Sequence, residues 1–388
     1  MVRSALHTMP RRSALFSLSA LTRAYQRNLK TLARVTRPAR AQATKAVKAA
    51  VKSAVKAAVK EAIHEAVPPA KTAHRQPTGA VARRKSLAPQ GDWIAGVATG
   101  PAGARRFHLY VPPGLALRSA EKLPLMVMLH GCDQTGADLA SSSRMNRLAA
   151  RHRFLVLYPE QERLANARGC WNWYGARSGR PDAEAATLLA AVQQVALHHP
   201  VDLARVAVAG LSAGASMAVL MAARYPAHFC AVAMHSGVAP GTADSAATAL
   251  AAMRGHRAGQ LPLPHASAVS PGTSALSAPL PPLLVLHGDA DGIVSVRNAA
   301  QTAQLWAQAL GARAGTVRAQ QRGKRYPMRV TQFRARGRTV VVVREIVGLR
   351  HAWSGGAPGL HFSDPAGPDA SALVWAFVAR EFKKSAAK

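Results

Sequence analysis

The fold is decided at Val206-Ala207-Val208-Ala209-Gly210-Leu211-Ser212-Ala213-Gly214-Ala215-Ser216. The apolar run predicts a buried strand. The Gly-x-Ser-x-Gly after it predicts a sharp turn with a serine at its apex, and the small residues that follow predict a helix. Glycines flank the serine because bulkier neighbours would clash in so tight a turn. Such an elbow holds a hydroxyl over the end of a sheet and at the N-terminus of a helix. There the helix dipole and free backbone N–H groups favour developing negative charge. Ser212 is therefore the candidate nucleophile.

A serine hydroxyl attacks poorly at neutral pH unless a base lies within hydrogen-bond reach and a carboxylate fixes that base's tautomer. Downstream, Pro281-Pro282-Leu283-Leu284-Val285-Leu286 reads as a strand that runs into His287-Gly288-Asp289-Ala290-Asp291. Either Asp291 or Asp289 can orient an imidazole from that loop. Residues Thr339 to Val347 read as another strand, which ends in Gly348-Leu349-Arg350-His351-Ala352-Trp353-Ser354-Gly355-Gly356. His351 in that glycine-bounded loop is the preferred base. His198 and His199 close a helical stretch before Pro200, and His235 and His287 lie near strand ends as pocket or packing residues. The chain order Ser, Asp, His is that of the α/β-hydrolases. The oxyanion hole needs two backbone donors. The N–H of Ala213 is one candidate. The N–H of Cys132, in the loop His130-Gly131-Cys132-Asp133-Gln134 after the strand Leu123–Leu129, is the other.

The remaining pattern agrees with this. Strands are expected at 106–111, 154–158 and 231–234, helices at 182–199 and 299–310, and a closing amphipathic helix at 369–384. Alternating strands and helices give a mostly parallel sheet covered on both faces. The Arg-rich stretch from Arg318 to Arg338 is expected to form an exposed hairpin.

Several separated motifs resemble the polyhydroxybutyrate depolymerase family of esterases, which is related to feruloyl and acetylxylan esterases. They are His130-Gly131-Cys132-Asp133-Gln134, Tyr158-Pro159-Glu160, Cys170-Trp171-Asn172-Trp173, Ala209 to Gly214, His235-Ser236-Gly237 and Gly348 to Trp353. The match runs in consistent order over about residues 95–383. The resemblance implies an α/β-hydrolase fold and a serine carboxylic-ester hydrolase that works through an acyl-enzyme without a cofactor. Its implied substrates are polyhydroxybutyrate-type polyesters or hydroxyacid oligomers, with feruloyl or acetyl esters as the alternative. The family triad motifs fall on Ser212, Asp291 and His351, which decides for Asp291 over Asp289. The resemblance also puts Cys132 and Cys170 at the cleft rim and implies a disulfide between them in an oxidising compartment. Trp171, Trp173 and Gln134 are the expected substrate contacts. Two departures bear on the cleft: Ala213-Gly214 stands where the family often has two glycines, and residues 239–280 form a longer insertion, expected to be flexible.

Charge divides the chain. Of 388 residues 51 are Lys or Arg and 18 Asp or Glu, a net charge of +33. Residues 1–90 carry 19 basic and 2 acidic residues, so the first quarter holds half of the net charge. From Lys45 to Val67 valine or isoleucine recurs every fourth residue beside lysine, which predicts a cationic helix with a thin apolar seam. Residues 1–67 thus read as a basic Ala/Lys-rich extension, 68–90 as a proline-containing basic linker, and 91–388 as the catalytic domain. The extension suits an anionic or granule surface, or non-specific nucleic-acid contact. Arg11 to Leu21 reads as an amphipathic part of it more readily than as a signal peptide. The resemblance favours export, and the weak leader leaves a cytoplasmic, granule-associated protein as the alternative. There is no run of about 18 apolar residues, so no transmembrane helix is expected. No metal-ligand spacing or dinucleotide fingerprint appears. The rival reading is a surface- or polyanion-binding protein with a degenerate hydrolase domain, and the intact serine, acid and histidine argue against it.

Overall fold

The computed structural model describes residues 91–114, 121–265 and 278–386. The basic extension and linker expected over 1–90 lie outside the described residues.

Six parallel strands form the middle of one sheet. They are β3 (Leu123–Leu129), β4 (Leu155–Pro159), β5 (Val201–Leu211), β6 (Ala231–His235), β7 (Leu283–Gly288) and β11 (Arg338–Ile346). Their spatial order is β4-β3-β5-β6-β7-β11. An antiparallel pair, β1 (Asp92–Gly100) and β2 (Gly103–Val111), extends the sheet beyond β4. On the other side β10 (Met328–Ala335) runs antiparallel to β11. The short strands β8 (Arg313–Ala314) and β9 (Arg318–Gln320) both pair with its far edge. A separate parallel pair joins β12 (Trp353–Ser354) to β13 (Ser363–Asp364).

The parallel strands are apolar on both faces because helices cover both. On β3, Leu125, Val127 and Leu129 point to one side. They pack with α3 (Arg180–His198), α4 (Ala213–Arg224) and α6 (Arg297–Ala309). Met126 and Met128 point to the other, against α1 (Gly136–Ser143), α2 (Met145–His152) and α7 (Ala370–Ala386). The period-2 alternation of a strand thus divides one apolar run between two cores.

The expected strands and the three expected helices are present. Strand β1, helices α1 and α2, and α5 (Ala246–Met253) were not anticipated. The described part of the 239–280 insertion contains regular structure. A Ser245/Thr248 capping box starts α5, and Ala249 and Ala252 are buried beside Val238 and Val294. Residues 266–277 lie outside the described residues. Among the described residues no helix is long and apolar enough to cross a membrane.

Candidate active site

Strand β5 ends at Leu211 and α4 begins at Ala213, so Ser212 is the whole turn. Its backbone sits at φ 57°, ψ −120°, a left-handed conformation for a residue with a side chain. Such strain costs on the order of 1–3 kcal/mol and persists where the surroundings over-determine it. Two close approaches impose it here. The Ser212 N–H donates to the His235 carbonyl at 2.9 Å. On the other side a Cβ at Gly214 would lie 2.2 Å from the Leu129 carbonyl oxygen, so only glycine lets α4 start against the end of β3.

The loop after β7 carries Asp291, the candidate acid. Asp291 is buried, and its Oδ2 accepts from His351 Nδ1 at 2.7 Å. Its Oδ1 accepts the N–H groups of Ile293 and Val294 at 2.9 and 2.8 Å. Burial alone would raise this carboxyl. The hydrogen bonds from His287, His351 and the Val294 N–H outweigh burial and hold it well below the usual carboxylate range. Asp289 has a different task. It accepts the Gly348 N–H at 2.7 Å and pairs with Arg329 at 3.0 Å, which braces the base of the histidine loop. With its Nδ1–H given to Asp291, His351 keeps Nε2 as an acceptor, the tautomer a general base needs.

Ser212, His351, Gly131, Cys132 and Leu211 line one cavity of about 80 Å³ together with Arg168, Met253, Ile293 and Phe362. A larger cavity of about 560 Å³ lies at the opposite ends of β6 and β7 and contains none of the triad residues. Ala213 opens α4, whose first-turn N–H groups have no partner within the helix. The Cys132 loop comes in from β3. The cavity therefore brings Ser212, His351 and the Cys132 loop together, and Ala213 follows Ser212 directly at the start of α4. Among the described residues no cluster of metal-ligating side chains occurs.

The Gly131–Gln134 loop is held from the side by the loop before α3. Cys132 and Cys170 form a disulfide. The Asp133 N–H donates to the Arg168 carbonyl at 2.8 Å, and the two side chains form an ion pair. The Arg168 guanidinium draws the Asp133 carboxyl below its ordinary value. Beneath this, Gln134 is buried and its Oε1 accepts the Gly131 N–H at 3.0 Å. Gln134 braces the Gly131–Cys132 turn from behind and does not line the Ser212 cavity. Trp171 is fully buried in the core, and Trp173 is half-buried, edge-on to Tyr174. Neither tryptophan lines the triad cavity, so the expected aromatic pair is not brought to the serine.

Two groups take on contacts that the sequence reading did not assign. Glu184, on α3, is 1 % exposed and accepts from the Asn172 N–H at 2.9 Å and from Gln161 Nε2 at 2.8 Å; Arg105 stands 3.5 Å away. This buried network fixes the loop that carries Cys170. An acid one turn before Leu188 on an apolar helix face was the available signal. The second is a histidine shell. His287 donates Nε2–H to the Val294 carbonyl at 2.9 Å and lies 3.4 Å from Asp291. His235 accepts the Ser354 N–H at 3.2 Å and stacks on Trp353.

Comparison with known proteins agrees with this architecture. The Poly(3-hydroxyalkanoate) depolymerase C of Paucimonas lemoignei is 32 % identical over 212 residues, 54 % of this chain and 50 % of that protein. The Feruloyl esterase B of Neurospora crassa is 29 % identical over 214 residues, 53 % of this chain and 70 % of that protein. The chain thus spans half the length of the depolymerase it matches. Among solved structures, the acetyl xylan esterase from Aspergillus awamori superposes with a TM-score of 0.52 at 22 % identity. That match covers 69 % of this chain and 95 % of the other, and it supports the α/β-hydrolase fold. The family described as Esterase PHB depolymerase matches residues 105–325, a span that takes in Ser212 and Asp291 and stops before His351. The chain belongs to the PHB depolymerase family of esterases.

Proposed function

We propose that this protein hydrolyses carboxylic esters of the hydroxyacid polyester class through an acyl-enzyme on Ser212. The observation that carries the reading is the strained Ser212 elbow sharing a cavity with His351, itself locked to buried Asp291. His351 Nε2 takes the hydroxyl proton as Oγ bonds to the ester carbonyl carbon. The resulting oxyanion accepts from the N–H groups of Cys132 and Ala213. His351 returns the proton to the departing alkoxide, and the C–O bond breaks. Water then repeats the sequence on the acyl-enzyme and releases the acid. Asp291 stays ionised throughout and stabilises the imidazolium.

Similarity to the depolymerase of P. lemoignei supports the polyester reading. A feruloyl or acetyl ester is the second reading, favoured by the similarity to the N. crassa esterase. Turnover of nitrophenyl butyrate, hydroxybutyrate oligomers, polyhydroxybutyrate film and methyl ferulate by one preparation tests the choice. Higher kcat/KM on the oligomers than on methyl ferulate is expected, and the reverse order would move the assignment to the second reading. We assign residues 1–90 to attachment on an anionic or granule surface and residues 91–388 to chemistry. Removal of the extension is expected to leave soluble-ester turnover unchanged, and loss of turnover would contradict the division.

A further inference from the structure

The antiparallel end of the sheet carries a cationic face that ester hydrolysis does not use. Between Arg313 and Arg338 the chain holds nine Lys and Arg and no Asp or Glu. Residues directly opposite in an antiparallel ladder share a face. Val330 stands between Arg318 on β9 and Arg344 on β11. Arg334 stands directly opposite Arg313 on β8. Along β10 the two rows are about 14 Å apart at roughly 3.4 Å per residue. Between them lies a depression of about 240 Å³ lined by Thr316, Arg318, Gln320, Gln332 and Arg334, side chains that all offer hydrogen-bond donors. The carboxylates of this region, Asp289 and Glu345, are both taken by Arg329. Among the described residues no carboxylate pairs with Arg313, Arg318, Arg334 or Arg344.

Like charges placed opposite each other on one face are destabilising without a counter-charge. Charged edges do protect sheets from adding a stray strand. That accounts for Arg313 and Arg318 on the outermost strands. It does not account for Arg334 one strand in, or for half-buried Arg344 two strands in, which donates to Gln320 Oε1 at 3.1 Å and pairs with no carboxylate among the described residues. A bilayer is a poor fit, since Val317, between β8 and β9, is the one exposed large apolar side chain from 313 to 338. A protein partner would need an apolar centre that the face lacks. A phosphate backbone fits. Arginine, glutamine and threonine are backbone-contacting side chains, and about 14 Å is the axial length of roughly four nucleotides.

We propose that the β8–β9–β10–β11 face binds the phosphate backbone of nucleic acid without sequence preference, apart from any contribution of the N-terminal extension. The test uses the full chain, a labelled DNA duplex and a series of salt concentrations. Replacing Arg313, Arg318 and Arg334 together by Gln is expected to lower the slope of log K against log salt by about 2 to 3. A control carrying Arg151, Arg177 and Arg180 changed to Gln, three exposed arginines elsewhere, is expected to keep the wild-type slope. Soluble-ester turnover is expected to be unchanged in both, which verifies folding. The single substitution Arg334→Gln gives a milder second variant, expected to lower the slope by about 1. Hydrogen exchange on the wild-type chain is expected to show slower exchange over residues 313–320 when duplex is added. Equal slope losses in the two triple variants would overturn the proposal in favour of diffuse attraction. Unchanged binding in the β8–β10 variants, or no protection of 313–320, would overturn it outright.

Discussion

Gly288 at the end of β7 lies against Leu349 in the histidine loop so closely that a Cβ on it would sit 2.0 Å from the Leu349 carbonyl oxygen. This contact brings the loops of Asp291 and His351 together. Asp291 follows Gly288 by three residues, and His351 follows Leu349 by two. The substitution Gly288→Ala must push one backbone off the other, with no flexible side chain to yield. We expect it to lower kcat about 100-fold, since misplacement by about 1 Å is enough for that. KM should change little. Steady-state kinetics on a soluble nitrophenyl ester checks this, and a wild-type kcat would show that the contact does not set the alignment.

Asp291 and Asp289 are two residues apart and face different partners, so their amide variants should separate. Asp291→Asn is expected to lower kcat by about four orders of magnitude through the wrong histidine tautomer. Asp289→Asn loses part of a hydrogen bond to Gly348 and a half-exposed ion pair. It is expected to lower the melting temperature by a few degrees, about 1 kcal/mol, with kcat within a few-fold of wild type. A larger kcat loss at Asp289 would reverse the two roles.

The Cys132–Cys170 disulfide closes a loop with a sequence separation of 38 and holds Cys132, whose N–H is the proposed oxyanion donor. Chain entropy alone gives it about 4 kcal/mol. The double variant Cys132→Ala/Cys170→Ala is expected to unfold at lower urea and to lose kcat more than KM, because the Cys132 N–H is used in the transition state. Denaturation curves and kinetics on the same samples check both. Loss of stability with kcat intact would remove Cys132 from the oxyanion hole.

Burial pushes His235 down from 6.5 to about 3, and the neighbouring His287 and His351 add to the effect. The unfolded chain therefore binds this proton first, and stability falls as pH drops from about 6.5 toward 3. The slope is about 1.4 kcal/mol per pH unit. Buried His130 is lowered for the same reason and adds in the same direction. Asp291, held well below the carboxylate range, stays ionised over pH 4–5.5. Urea unfolding between pH 5.5 and 4 is expected to lose about 1.4 kcal/mol per pH unit of its slope in His235→Gln. An unchanged slope would mean that His235 is protonated in the folded protein.

Much of this site was legible in the chain. Ser212 announced itself because an elbow needs small residues on both sides, and small residues are visible in sequence. The parallel strands were legible because burial on both faces makes them continuous apolar runs. Strand β1 was missed because Asp92–Gly100 is largely exposed and carries four Gly and Ala residues among its nine. Helices α1 and α2 were missed because each is only eight residues long. The choice between Asp289 and Asp291 rests on where a loop turns, which no local propensity encodes. Trp171 and Gln134 were expected beside substrate from their motifs. Their burial follows from the Glu184 network and the Gly131 loop, contacts between residues distant in sequence or folded back on a turn.

The central claim is an acyl-enzyme on Ser212. The direct measurement is mass mapping of protein quenched in acid during turnover of nitrophenyl butyrate. The account predicts one butyryl group, on the peptide containing Ser212, in the wild type. It also predicts accumulation of that adduct in His351→Ala if any acylation persists, and its absence in Ser212→Ala. A butyryl group on another residue, or undiminished turnover by Ser212→Ala, would contradict it.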